Sequence, residues 1–222
     1  TSNVFLVVWQ DGRNAYGLLS TEIYGRMVGP DGKPLGPEFV VNGPGFYDSD
    51  VCPAVAWASS TNQFLVAWEG NRDHFPRGSD IYGRLVGPDG QPVGAGAFTI
   101  SGAAAMEDDR NAAVAYGATS DRFLVVWADY RNQATTDCGL YGRWVGVSGA
   151  PAGPDFRVSG ASSTRDEASP EIAWNDNADQ FLVVWEDNRN DATRGIDIYG
   201  RLIKGGGGMA SAEKRLSGAK AS

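Results

Sequence analysis

A single histidine (His74), two cysteines and four lysines are all that the 222 residues offer for imidazole ligation, disulfide framing and lysine contacts to phosphate. One histidine excludes mechanisms that need several imidazole ligands for zinc or copper. A formal charge of −8 argues against a nucleic-acid partner, because binding a phosphate backbone relies on clustered Lys and Arg. No apolar run approaches the ~20 residues of a membrane-spanning helix, so helical membrane insertion is not expected. The linear signatures of nucleophile elbows, zinc-protease helices, phosphate loops, Cys-x-x-Cys redox pairs and EF-hand calcium loops are missing as well.

What is present is turn-forming and aromatic: 30 glycines, 11 prolines, seven tryptophans, eight tyrosines and nine phenylalanines. The aromatics are arranged in a repeat of 58 to 59 residues. The run Phe5-Leu6-Val7-Val8-Trp9 returns at Phe64–Trp68, Phe123–Trp127 and Phe181–Trp185. A second element, Ile23-Tyr24-Gly25-Arg26, returns at Ile81–Arg84, Leu140–Arg143 and Ile198–Arg201. Pro30-Asp31-Gly32 and its counterparts lead to a third element at Phe39–Val41, Phe98–Ile100, Phe156–Val158 and Arg215-Leu216. A fourth lies between units, at Ala54–Trp57, Ala113–Tyr116 and Glu171–Trp174.

Each element is a short β-branched and aromatic run bounded by turn residues, which predicts strands rather than helices. Phe-Leu-Val-Val-Trp is apolar at every position, so both of its faces should be covered. Four such strands per unit, repeated, predict an all-β fold: a β-propeller of four blades in a single domain 1–222, with units 5–63, 64–122, 123–180 and 181–222. The strands are named A (around Ala54), B, C and D within a unit. B, C and D occur four times but A only three times, so the first blade should lack one strand. Its open edge would suit pairing with a second copy of the chain, a homo-oligomer.

Phe181-Leu-Val-Val-Trp-Glu-Asp-Asn-Arg-Asn190 followed by Asp197-Ile-Tyr-Gly-Arg201 resembles the repeats of secreted and cell-surface propeller proteins of environmental bacteria. The similarity covers nearly the whole chain. It implies a propeller outside the cytoplasm and brings no catalytic signature with it.

The repeated polar residues divide into two groups. Asp11 with Arg13, Asp129 with Arg131, and Asp187 with Arg189 follow strand B, whereas the second unit keeps Arg72 but has Gly70 in place of the aspartate. Arg26, Arg84, Arg143 and Arg201 close strand C. Repetition in every unit favours structural clamps that fix loops or join blades. The loops that differ are the better functional candidates. Asp48, Asp50, Glu107, Asp108, Asp109, Asp166 and Glu167 precede the A strands and would crowd one mouth of the central channel. Asp50, Asp109 and Glu167 share one repeat position, where they could hold a calcium ion or, as weak candidates, act as catalytic carboxylates. The plainer reading makes them solvated loop acids. Tyr47, His74, Phe75 and Tyr130 add an aromatic, polar rim suited to stacking on a sugar ring.

A disulfide between Cys52 and Cys138 is compatible with their placement on one face, and would fit an oxidising compartment. The start at Thr1, without an apolar leader, fits a mature secreted domain. The functional expectation is an extracellular propeller that binds a ligand, such as a glycan, on its acidic loop face. The alternatives are a carboxylate-dependent glycoside hydrolase or lyase, and a purely structural segment of a surface protein.

Overall fold

The computed structural model describes residues 3–13, 20–43, 49–71, 78–102, 108–131, 138–160, 167–190 and 195–217. Fifteen strands are arranged as four antiparallel sheets, one three-stranded and three four-stranded. Blade 1 holds β1 (Phe5–Asp11), β2 (Glu22–Val28) and β3 (Pro34–Val40). Blade 2 holds β4 (Asp50–Ala58), β5 (Gln63–Gly70), β6 (Asp80–Val86) and β7 (Pro92–Thr99). Blade 3 holds β8 (Asp109–Gly117), β9 (Arg122–Asp129), β10 (Gly139–Gly146) and β11 (Pro151–Arg157). Blade 4 holds β12 (Glu167–Asn175), β13 (Gln180–Asp187), β14 (Asp197–Lys204) and the short β15 (Lys214–Arg215). Each complete blade pairs in the order A-B-C-D, and among the described residues blade 1 has no A strand, as the repeat count predicts.

The strands turn where the sequence permits. Asn62, Asp121 and Asp179 take left-handed φ of 55°, 49° and 50° between A and B, a conformation short polar side chains tolerate. Between C and D, the amide of Gly32 closes on the carbonyl of Gly29 at 3.0 Å, and Gly32 sits at φ 77°.

The core consists of three clusters, each spanning one blade junction. Leu6, Ile23, Met27 and Val41 of blade 1 pack on Phe64, Val66, Trp68 and Val86 of blade 2. Leu65, Ile81 and Ile100 pack on Phe123, Val125 and Trp127, and Leu124, Leu140 and Val158 on Phe181, Val183 and Trp185. The all-apolar B strand is therefore two-sided: its Phe, middle Val and Trp face the preceding blade, and its Leu faces the following one. β4 lies between β1 and β8, and β8 between β4 and β12. No comparable contact joins β12 to β1 among the described residues, so the ring is open between blades 4 and 1.

The second arginine set ties the junctions together. Arg84 Nη1 donates to the carbonyl of Val41 at 2.8 Å, Arg143 Nη1 to Ile100 at 3.0 Å, and Arg201 Nη1 to Val158. Each bond runs from the C strand of one blade to the end of the D strand before it. Among the described residues Arg26 has no preceding blade to reach, and it keeps only contacts within its own blade, its Nε donating to the carbonyl of Gly36 at 3.2 Å as Arg143 Nε does to Gly153 at 2.8 Å. Arg143→Ala should therefore lower stability by about 1–2 kcal/mol, read as a lower urea midpoint, because it strips the donor from an interblade carbonyl. Arg26→Ala in dilute solution should leave the midpoint unchanged. Equal losses at both positions would contradict the interblade role.

Candidate functional site

Every B strand places a tryptophan whose indole N–H needs an acceptor once buried. Trp9 Nε1 donates to Asp11 at 3.3 Å, and Trp68 Nε1 to Asp50 at 3.0 Å. Trp127 Nε1 lies 3.1 Å from Asp109 and 3.3 Å from Asp129, and Trp185 Nε1 lies 3.4 Å from Asp187. The acceptor comes from the end of strand B, from the start of strand A, or from both. This accounts for Gly70: a Cβ there would stand 2.3 Å from Asp50 Oδ1, so the second unit keeps the A-strand carboxylate and gives up the B-strand one.

Asp50, Asp109 and Glu167 are consequently not an open, solvated ring at the channel mouth. They begin β4, β8 and β12 and are 1%, 1% and 0% exposed. Each is drawn inward by its own partners. Asp50 accepts from Asn42 of blade 1 and Trp68 of blade 2. Asp109 accepts from the Trp127 indole at 3.1 Å, and Glu167 Oε1 pairs with Arg189 Nη2 at 3.4 Å. Among the described residues, no three His, Cys, Asp or Glu side chains converge as a metal-ligand group. Burial pushes the Asp109 carboxyl well above the usual range, and Asp129 beside it adds to the rise. Burial likewise lifts Glu167 to about 7, with Asp187 contributing.

The residues Asn42, Ser101, Ser159 and Ser217 share one repeat position just beyond strand D. Each accepts from the backbone N–H that opens strand C, at 3.1, 3.0, 3.1 and 3.1 Å to Ile23, Ile81, Leu140 and Ile198. Sequence reading missed this set because Asn and Ser in a loop are ordinary. The signal was their spacing of 16 or 17 residues from the C-strand arginine.

The first arginine set clamps within a blade. Arg131 donates from its backbone N–H (2.9 Å) and Nε (2.8 Å) to Asp129, and also pairs with Asp155 on the D strand. Arg189 repeats this with Asp187 and reaches Glu213 at 2.7 Å, and Arg13 does so with Asp11 and Glu38. Each guanidinium also lies over a C-strand tyrosine, 4.6 Å from the Tyr24 ring centroid, 4.0 Å from Tyr141 and 4.1 Å from Tyr199. Arg13 bridges Asp11 and Glu38, and the Asp11 carboxyl falls to about 2 because Arg13 hydrogen-bonds it. The guanidinium bonds hold loops against their own blade, and in blade 4 the clamp's Glu213 also accepts the Gly160 N–H of blade 3 at 2.8 Å.

A different group of side chains converges where the A strands run side by side. Each A strand carries a bulge in its pairing with B, and its central residue has left-handed φ: Cys52 at 51°, Asn111 at 54° and Ser169 at 50°. Such a backbone is strained for a residue with a Cβ, and it recurs in all three blades that have an A strand. The bulges bring Cys52, Asn111 and Ser169, with Pro53, Pro170 and Glu171, around one hollow of about 220 Å³. Asn111 Nδ2 lies 3.9 Å from Cys52 Sγ, and Ser169 Oγ lies 3.5 Å from Glu186 Oε2.

Beside the hollow is a charged cluster between blades 2 and 3. Arg110 pairs with Asp108 and stands 5.4 Å from the Tyr130 ring centroid. Asp108 Oδ1 accepts the Ser79 N–H at 2.8 Å, and Asp108 O accepts the Tyr130 N–H at 3.0 Å. Burial raises the Glu69 carboxyl above the usual range despite the nearby Arg110. Asp108 and Tyr130 were expected at the rim and are brought together there. Glu69, Arg110, Asn111 and Ser169 were not singled out from sequence, and Cys52 was considered only for a disulfide. The available signal was that Arg110 replaces the small residues Val51 and Ala168 of the other units. Tyr47, Asp48, Arg72, His74, Phe75, Glu107 and Asp166 lie outside the described residues. Cys52 is exposed and Cys138 buried; both are free thiols, so the disulfide that their placement allowed is not formed, and Cys138 Sγ donates to the carbonyl of Glu167 at 3.1 Å.

No protein-family model matches the chain, and no curated protein matches its sequence. Solved structures do match its fold. An N-acetylgalactosamine deacetylase from F. plautii, in complex with blood group B trisaccharide, aligns with a TM-score of 0.57 at 12% identity, over 97% of this chain and 69% of that one. A GH43 β-1,3-galactosidase with galactodeoxynojirimycin aligns at 0.60 and 9% identity, over 97% and 73%. An exo-β-1,3-galactanase from Clostridium thermocellum aligns at 0.61 and 11% identity, over 99% of this chain and 47% of the galactanase. The chain thus spans about half the galactanase's length. At these identities the likeness is one of fold: the chain is an all-β propeller of four blades whose backbone path is shared with these enzymes.

Proposed function

We propose that the chain is an extracellular, glycan-binding propeller module whose ligand engages the inner rim formed by the A-strand bulges. The observation that carries this reading is the variation at those bulges. Where a repeat position serves construction, the units use one residue type or close substitutes, as with the C-strand arginines and the B-strand tryptophans. At the three strained, inward bulges they instead use a thiol, an amide and a hydroxyl, side by side. Different polar groups on one backbone scaffold suit an asymmetric, hydroxyl-rich ligand. Arg110 and the Tyr130 face add a charged donor and a stacking surface next to the hollow. The fold likeness to proteins solved with sugar ligands is in keeping with this choice of ligand class.

Asp50, Asp109 and Glu167 take no direct part in this reading, because each is enclosed in a blade junction. The test is a glycan array probed with and without calcium, followed by calorimetry on any hit. Asn111→Ala and Tyr130→Ala should each weaken binding by about tenfold, as expected for losing a ligand hydrogen bond or a stacking face. Failure to bind any glycan under either condition would leave a purely structural scaffold. Release of reducing ends from a polysaccharide panel would replace binding with hydrolysis.

A further inference from the structure

The three blade junctions are built alike, and the open ends of the arc are the two unmatched halves of a fourth. On blade 4, Leu182, Ile198 and Leu216 are 39%, 37% and 52% exposed, although their counterparts Leu65, Ile81 and Ile100 are each 0% exposed under the next blade. On blade 1, Phe5 and Val7 are 59% and 49% exposed, whereas Phe64 and Val66 are 5% and 0% exposed against the blade before them. The apolar halves therefore correspond residue by residue with those that pack inside the molecule.

Two finer features match. Inside the arc, the C-strand arginine reaches the carbonyl of Val41, Ile100 or Val158, and the next residue at that repeat position is Leu216. Arg26 is the member of the arginine set without a blade to reach. The turn glycines Gly90 and Gly149 leave no room for a Cβ, which would stand 2.8 Å from Phe39 and 3.1 Å from Phe98 of the preceding blade. Gly32, the equivalent in blade 1, has nothing within 4 Å of the same point. Facing outward on blade 4 is a hollow of about 170 Å³ lined by Leu182, Leu202, Lys214 and Leu216. Lys214 stands where Phe39, Phe98 and Phe156 stand in the other units, and Asn175 where Ala58 and Gly117 stand, so both depart from the pattern.

We infer that the chain associates head to tail, the β1–β2 face of one copy seating on the β13–β14 face of another as a fourth blade junction, with Arg26 donating to the partner's Leu216 carbonyl. The contact is heterologous, so each copy keeps one donor and one acceptor face and assembly extends to a closed ring or an open chain. The occupant is a second copy because both halves of the junction are present in this one sequence. The interface also differs from simple pairing along the β1 edge, since it uses sheet faces.

Light scattering and native mass spectrometry from micromolar to near-millimolar concentration test this directly. The wild-type chain should show a mass that rises with concentration. Val7→Asp blocks one face and Leu216→Asp the other, at positions exposed within the monomer, so each variant alone should stay monomeric, with association weakened by at least about a hundredfold. An equimolar mixture of the two retains one intact pair of faces and should give a 1:1 dimer that grows no further. Arg26→Ala should weaken association by about tenfold. A wild-type chain that remains monomeric, single variants that keep the wild-type mass, or a mixture that fails to dimerise would each overturn the proposal. If an aspartate variant loses the far-UV spectrum of the parent, Val7→Ser and Leu216→Ser replace it in the same mixing experiment.

Discussion

Asp109→Asn should unfold at a higher temperature than the parent at pH 8, by about 4–8 °C for roughly 2 kcal/mol in a domain of this size. Asp109 is 1% exposed, lies beside Asp129 at the shared Trp127 indole, and holds its proton far above the usual carboxylate range because of burial and the neighbouring charge. Its folded pKa is raised above its unfolded one, so the folded state binds the proton more tightly. The associated stability is full below the ordinary aspartate value and is lost as pH rises toward the raised one. Glu167, lifted to about 7, adds a loss of the same sign between its ordinary value and neutrality. The parent should therefore be more stable at pH 5 than at pH 8. An asparagine has no proton to lose and should flatten the dependence, with little change at pH 5. Calorimetry at the two pH values measures this. A variant destabilised equally at both would mean that Asp109 is ionised in the native state and holds Trp127 through its charge.

Gly70→Asp should do the reverse, although it restores the residue that the other three units carry at this position. The added Cβ would stand 2.3 Å from Asp50 Oδ1 and 3.0 Å from the Tyr82 ring, and the new carboxylate would compete for an indole already bonded to Asp50. Steric overlap and a second buried like charge together cost about 3 kcal/mol or more, or a Tm lower by about 6–12 °C. Combining Gly70→Asp with Asp50→Ser should recover most of the loss, because one carboxylate then again serves one tryptophan, as Asp11 serves Trp9. If the single variant is as stable as the parent, the two aspartates do not compete for one space.

The fold was legible because it is carried by periodic residues. The constant spacing of Trp9, Trp68, Trp127 and Trp185 and of the Tyr-Gly-Arg elements marks the B and C strands, and the missing A element foretells a three-stranded first sheet. The structural role of the arginines was legible for the same reason. Their division of labour was not. Arg131 and Arg143 look alike in sequence, yet one closes a loop on its own blade and the other reaches the blade before it. The carboxylates were harder still. Acids before a strand ordinarily face solvent, and only the indole, amide and guanidinium partners contributed by distant residues draw Asp50, Asp109 and Glu167 inside. The inner rim of Cys52, Asn111 and Ser169 depends on a left-handed backbone that no residue type among the three announces.

By itself the sequence determined strand identity, blade number and the incomplete first blade, because burial on both faces of a strand needs a run of apolar side chains and four copies of that run cannot be hidden. Tertiary structure alone decided which acids are buried and which groups meet at the axis. It also left two complementary faces uncovered at the ends of the arc. Those outcomes depend on contacts between blades some 59 residues apart in the sequence, such as Ser60 with Asp121 or Asn111 with Cys52, where neither partner carries a local signal of the other.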